Sequence, residues 1–517
     1  MASPEGAVKA GSMVRNVLAN FAGQGWSTIV ALVVVPFYIR LMGIEAYGLV
    51  GFYVTLQTAI SLLDFGLSTT INRELARSRV AGPTAPEPHD LVRTLEAAYW
   101  VIGLLVGVAL VGAAGVIATS WLNPQALTAE TVRRGVALMG IAIAVQAPRA
   151  FYTGALYGLE RHVLLNGVNI AASTARSLGA LAVLYLISPT VIAFFAWQIL
   201  VGAAHVALLA AGVWRSLPAP SRAPRVRPRL VLDVWRFAAG VSATAALGLA
   251  LRQVDKVVLS KLLSLELLGY YMLASMIANA LGLLASPFFT GIFPRLAAYA
   301  AAGDRARVRD LYHRGSQFVA ATVIPASVIV GLFSYELLLL WTGNPSTARL
   351  TAPIASLLVA GTALNSVVGL AYELQVAHGW TRLGVYKNAL AAAVLVPLLV
   401  FLTRRYGPAG AAMVWVLLNV GYLLVELPIM HRRLLPGELW RWYVQVILRP
   451  ATAALAIALL LRVLLPAGLG WLALAAILGL GSIVVYLGAL SAMPHVRGWA
   501  LERLGGLRPA RAGSPVS

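Results

Sequence analysis

Cysteine is absent from all 517 residues. That excludes structural disulfides, thiol nucleophiles and Cys-ligated metals. Charge is scarce too, at 11% of residues, where an ordinary soluble domain carries about a quarter. Acid is scarcer than base, 19 Asp+Glu against 40 Lys+Arg, for a net charge of +21. No polar stretch is long enough to fold as a separate domain outside a membrane. No Walker lysine loop is present, so ATP hydrolysis is not expected. The seven His are scattered, without the paired spacing of a metal site. Neither a metal nor any other cofactor is expected.

What fills the chain instead is apolar: 60% hydrophobic residues and a mean hydropathy of +0.81. A helix crosses the hydrocarbon core with roughly 20 apolar residues, and about fourteen such stretches recur from Val14 to Leu490. The fold class predicted is all-α, a polytopic membrane protein. Its breaks carry turn chemistry, at Asn123-Pro124, Ser188-Pro189, Gly343-Asn344-Pro345, Gly407-Pro408 and Pro466-Ala467-Gly468. The first apolar stretch is too long for a signal-peptide core and is expected to be retained.

The basic residues have a membrane explanation. With the N-terminus in the cytoplasm, about 28 of the 40 Lys+Arg fall in cytoplasmic loops and about 8 outside, as the positive-inside rule requires. Both termini are thus expected in the cytoplasm. Anionic membrane lipids suit these loops, and no nucleic-acid partner is expected, because no aromatic-studded basic stripe lies outside the spans.

The chain repeats weakly. Arg40, Glu45 and Gly48 have counterparts in Lys261, Glu266 and Gly269 at a constant offset. The predicted organisation is a six-helix lobe over 1–214, a basic Pro-rich connector over 215–233 and a second six-helix lobe over 234–431. Two extra spans over 432–490 and a cytoplasmic tail over 491–517 follow. Parallel repeats of this kind place a substrate between lobes that rock against each other. The connector would be the flexible strap between them.

Charge inside a span costs a few kcal/mol and tends to face a bundle interior or a wet cavity. Arg149, Arg176, Arg252 and Lys256 are the candidates for a cationic, substrate-binding cavity. Arg252, Asp255 and Lys256 stand at i, i+3 and i+4 on one helix face. In the plainer reading, Asp255 neutralises one cation and the cluster cements helices. Arg suits phosphate because its planar fork donates two parallel hydrogen bonds. Asp64, Asp255 and Glu373, with Glu426 nearer the cytoplasmic end, are candidates for a coupling ion or for ion pairs. Asn20, Gln24 and Ser27 mark one polar face of the first span. Gly103 and Gly107 form a small-residue ridge suited to helix packing.

Several runs carry a family resemblance. In the first half they are Pro36-Phe37-Tyr38-Ile39, Leu41-Met42-Gly43, Ala46-Tyr47-Gly48, Leu63-Asp64-Phe65-Gly66-Leu67 and Asn72-Arg73-Glu74-Leu75-Ala76. In the second they are Asp255-Lys256, Leu268-Gly269-Tyr270-Tyr271 and Phe293-Pro294-Arg295-Leu296. These runs resemble the polysaccharide transporters, the O-antigen and teichoic-acid flippase group of the multidrug/oligosaccharidyl-lipid/polysaccharide exporter superfamily. The resemblance implies a flippase that moves a lipid-linked oligosaccharide, on polyprenyl pyrophosphate, across a bacterial inner membrane. It also implies partners in the same pathway, a polysaccharide polymerase and glycosyltransferases. Two alternatives stay open: a drug or metabolite antiporter of the superfamily, and a polyprenyl-dependent membrane glycosyltransferase or polymerase. The buried cations count against the first. The short outer loops leave little room for the second, so the protein is not expected to be an enzyme.

Overall fold

The computed structural model describes residues 25–64, 66–81, 88–218, 222–228, 253–466 and 468–498. Arg252, Asn20 and Gln24 lie outside the described residues. The chain divides into two compact units, Met1–Gly269 and Tyr270–Ser517.

Apolar runs without water must satisfy their backbone internally, so they fold as helices. The first unit holds α1 (Gly25–Met42), α2 (Ile44–Ile60), α3 (Leu67–Ala81) and α4 (Pro88–Val116). After them come α5 (Ala129–Gln146), α6 (Arg149–Gly158), α7 (His162–Leu186), α8 (Val191–Ser216) and α9 (253–262). Helix α10 (Leu265–Leu283) begins in it. Thr128 and Thr190 cap α5 and α8 through hydroxyls that accept from Thr131 N and Ala193 N.

The second unit holds α11 (Ser286–Ala301), α12 (Arg305–Leu332), α13 (Ser334–Thr342) and α14 (Pro345–Ala377). It continues with α15 (Arg382–Gly421), α16 (Leu427–Leu434), α17 (Leu439–Trp442), α18 (Arg449–Leu464) and α19 (Trp471–Ser491). The break predicted at Gly343-Asn344-Pro345 is present: Gly343 closes α13 in the left-handed conformation, Asn344 caps α14 and Pro345 takes its first turn. Helices α18 and α19 pack against Ile329 and Phe333 through Ala454, Ala458, Leu478, Val485 and Ala489.

Among the described residues, eleven helical stretches are long and apolar enough to cross a membrane. One of them, Arg382–Leu434, turns at Gly407 (φ 61°, ψ −145°) and so contains two of the expected spans. The count is compatible with about fourteen. Outward faces such as Leu104, Leu105 and Val108 of α4 are apolar and exposed, as lipid contact demands.

Small residues let the helices meet. Gly103 and Gly107 of α4 rest on Ala144, Ala147 and Gly140, so the ridge packs α4 on α5. The repeat-related glycines Gly48 and Gly269 meet each other where α2 and α10 begin. Gly154 of α6 lies so close to the Ser68 carbonyl of α3 that a Cβ would overlap the oxygen. Gly154→Val should therefore cost about 1–3 kcal/mol by overpacking. Tryptophan fluorescence during heating of the detergent-purified protein should show a lower melting temperature; an unchanged one would mean that α3 and α6 part easily.

Over residues 222–228 the connector is fastened rather than free. Asp90, 2% exposed at the start of α4, accepts from Arg222 Nη2 at 2.7 Å and Arg225 N at 2.8 Å. It also pairs with Arg227 Nε at 2.8 Å, while Thr94 Oγ1 accepts from Arg227 N at 2.9 Å. A second carboxylate does similar work at the turn before α5: Glu45 accepts from the backbone N–H groups of Gln125, Ala126 and Leu127 at 2.5, 2.6 and 3.0 Å. Three convergent N–H groups form a nest that suits a buried carboxylate.

Candidate functional site

Two spans of the first unit are discontinuous. Between α2 and α3 the chain tightens into a 3-10 turn, Ser61–Asp64, and Gly66 takes a positive φ of 75° that a side chain would strain. Asp64 then caps α3: its carboxylate accepts from Ser68 N at 3.3 Å and Ser68 Oγ at 2.7 Å, and the Tyr99 hydroxyl donates to it as well. Asp64 and Gly66 thus lie where one helix ends and the next begins. Between α5 and α6 the break is made by Ala147-Pro148, because proline has no N–H to continue the ladder. Broken spans survive in a membrane where they line a protein cavity.

They do so here. A cavity of about 100 Å³ is lined by Gln57, Ser61, Asp64, Tyr99, Gln146 and Arg149, set between Ile60, Ile102, Val106 and Ile143. Arg149 opens α6, its side chain exposed, and forms no hydrogen bond or ion pair among the described residues. Arg176 of α7 lies within electrostatic range of it, and both act on the Tyr53 hydroxyl of α2. That hydroxyl accepts from Gln57 Nε2 at 2.8 Å and Gln146 Nε2 at 2.9 Å. Arg176 donates from Nη2 to His205 Nδ1 at 3.4 Å, and its buried Nε has no partner among the described residues. His205 in turn meets Asn169 Oδ1 through Nε2 at 3.0 Å.

The result is two guanidinium groups near each other with no carboxylate paired to either among the described residues. Like charges in a poor dielectric repel, and an anion between them removes that penalty. Both groups are planar forks that match phosphate oxygens.

The other expected residues fall elsewhere. Lys256 is held by its neighbour Asp255, with Nζ 3.3 Å from both carboxylate oxygens, so this cation is compensated within α9. Arg252 lies outside the described residues. Glu373 is half-buried in α14 with no ion pair or hydrogen bond among the described residues. The structure thus brings Arg149, Arg176 and Asp64 into one region of the first unit.

Sequence reasoning missed Tyr53, Gln57, Gln146, Asn169 and His205. Their signal was available: each is a polar group inside an apolar run, where only a partner or a cavity explains it. It also missed Lys387, whose Nζ sits 2.6 Å from both oxygens of the buried Glu426 in the second unit. Gln375 Nε2 donates to the same carboxylate at 2.8 Å, and the Tyr422 ring lies 4.5 Å beneath the ammonium. A π turn over Tyr422–Glu426 aims Glu426 inward.

The chain is similar to known proteins over most of its length. A Shigella flexneri protein described as an O-antigen transporter is 19% identical over 409 residues, covering 78% of this chain and 94% of its own. The solved structure of the lipid II flippase MurJ in an inward closed conformation superposes with a TM-score of 0.68 at 13% identity, covering 95% of this chain and 99% of its own. An inward-facing multidrug resistance MATE family transporter gives 0.65 at 12% identity, over 80% and 96%. These structures share the fold. The MatE family matches residues 242–402. The family described as polysaccharide biosynthesis protein matches residues 13–300, more than half of the chain. This multi-pass membrane protein therefore belongs to the polysaccharide biosynthesis protein family, the polysaccharide-transporter branch of the multidrug/oligosaccharidyl-lipid/polysaccharide exporter superfamily.

Proposed function

We propose that the protein flips a polyprenyl-pyrophosphate-linked oligosaccharide from the cytoplasmic to the outer leaflet of a bacterial inner membrane, for surface polysaccharide synthesis. The observation that carries this reading is the pair of uncompensated arginines, Arg149 and Arg176, where two broken spans meet. A diphosphate brings the charge they lack, and its oxygens match their forks. The likeness to a described O-antigen transporter and to a lipid II flippase supports the same cargo class. An acidic site would suit cationic drugs better, so the antiporter reading is disfavoured.

In this reading residues 1–214 and 234–431 act as lobes that alternate access, both termini face the cytoplasm, and 432–490 adds two further spans. Arg252 and Lys256 are the second lobe's cations, although Lys256 is engaged by Asp255. Glu373, with no partner among the described residues, is the acid best suited to carry a coupling proton or sodium ion. The partners would be the lipid-linked oligosaccharide and, in the same pathway, a polymerase and glycosyltransferases.

The test is leaflet exchange of a fluorescent lipid-linked oligosaccharide in proteoliposomes. Exchange should exceed that of protein-free liposomes and should leave a neutral polyprenol unmoved. Exchange at the protein-free rate would refute the reading.

A further inference from the structure

His205 is the ionisable group of the arginine cluster for which the anion-binding reading has no role. It lies in α8, 5% exposed, with both ring nitrogens engaged: Nδ1 with Arg176 and Nε2 with Asn169 Oδ1. A guanidinium has only hydrogens to offer, so Nδ1 must accept. The ring hydrogen therefore sits on Nε2 and is donated to the Asn169 carbonyl. Turning the ring would break both bonds, and Arg176 is held at a defined position by the imidazole.

Helix α8 packs on α5, α6 and α7. The charged groups that act on His205 are Arg176 from α7 and Arg149 from α6. From α5 comes only the neutral Gln146, which lies against Gly202, three residues before His205 on the same helix face. No acid among the described residues acts on the ring. A proton on His205 would be a third positive charge, and would point an N–H at a guanidinium that has only N–H groups. The neutral ring is the form that fits the empty cluster.

An anion reverses both conditions. It cancels charge, and it draws the Arg176 fork toward itself, which leaves Nδ1 free to take a hydrogen. We infer that His205 is a positioning residue for Arg176 that takes up a proton from solvent when an anion occupies the cluster, so that anion and proton bind together. This inference rests on the reading of Arg149 and Arg176 as an anion site. Linkage is reciprocal, so the anion must bind more tightly as pH falls.

The probe is farnesyl diphospho-N-acetylglucosamine, whose diphosphate diester keeps its charge across the range in which histidine titrates. Binding to the full-length protein in nanodiscs is measured from about pH 8 to about pH 6. Wild-type affinity should rise by about fivefold or more as pH falls over that range. His205→Gln offers Arg176 an acceptor and Asn169 a donor but cannot titrate; it should match wild type at the upper pH and stay flat below it. His205→Ala should bind about tenfold more weakly at the upper pH, where the lost positioning bond is worth about 1.4 kcal/mol.

A His205→Gln protein with the wild-type pH slope overturns the inference. So does a His205→Ala protein indistinguishable from wild type. If Arg176→Ala binds the probe as wild type does, the anion-site reading itself fails. If Arg176→Ala loses binding while both His205 variants behave as wild type, only the role of His205 falls. Melting temperatures accompany each variant, and should His205→Ala fail to fold, the slope of His205→Gln decides.

Discussion

Replacing both Arg149 and Arg176 with alanine is expected to abolish surface-polysaccharide export while the protein stays in the membrane. Each guanidinium would give the cargo a charge-assisted hydrogen bond worth about 1.5–3 kcal/mol, so losing both should lower affinity at least about hundredfold. The folded state should tolerate the loss. Arg149 has no partner among the described residues, so its removal orphans nothing there, and Arg176 leaves behind only one ring nitrogen of His205. Taking two like charges out of one cluster also relieves repulsion. Lysine at both positions would keep the charge and lose the fork, and should restore export only in part. The measurement is surface polysaccharide in a strain whose own flippase is deleted, with membrane protein quantified alongside. Full export by the double alanine variant would remove these arginines from the mechanism.

The second large effect is on stability. Lys387→Met should leave the Glu426 carboxylate, 2% exposed, with Gln375 as its remaining donor among the described residues. Breaking one side of a buried ion pair costs about 3–5 kcal/mol, because the other charge stays behind without compensation. Glu426→Gln should be similarly costly, since it strands the ammonium between the Tyr372 and Tyr422 rings. The double variant Lys387→Met, Glu426→Gln should recover most of the loss, because no isolated charge remains. Melting temperatures of the four proteins close a double-mutant cycle. Single variants as stable as wild type would show that this pair does not hold the ends of α14, α15 and α16 together.

Much of the architecture is legible in the sequence. Apolar runs and their Gly, Asn and Pro breaks mark helices and turns locally, because helix formation inside a membrane depends on residues a few positions apart. The break at Gly343-Asn344-Pro345 and the turn at Gly407 follow from chemistry written at those positions. So does the small-residue ridge at Gly103 and Gly107, which packs α4 on α5.

The site was legible by half. Arg149 and Arg176 stood out because charge is rare in a span, and the two do come together. Asp64 stood out as well, and only the fold shows that its carboxylate also caps α3 through Ser68 and accepts from Tyr99. Lys256 looked like cavity charge, and its neighbour Asp255 engages it. The connector over 222–228 looked like a loose strap, and Asp90, more than a hundred residues earlier, fastens it.

Short-range order and composition set a helical membrane chain, its turns, and which residues carry unusual charge. Which of those charges are compensated is set by packing between helices. Compensation depends on distances between helices far apart in the chain, and Coulomb and hydrogen-bond energies weaken over a few ångströms. Scarce charge marked a membrane protein, and scarce acid one with few counter-charges; the fold engages Asp64, Asp90, Asp255 and Glu426 elsewhere and pairs none of its described acids with Arg149 or Arg176.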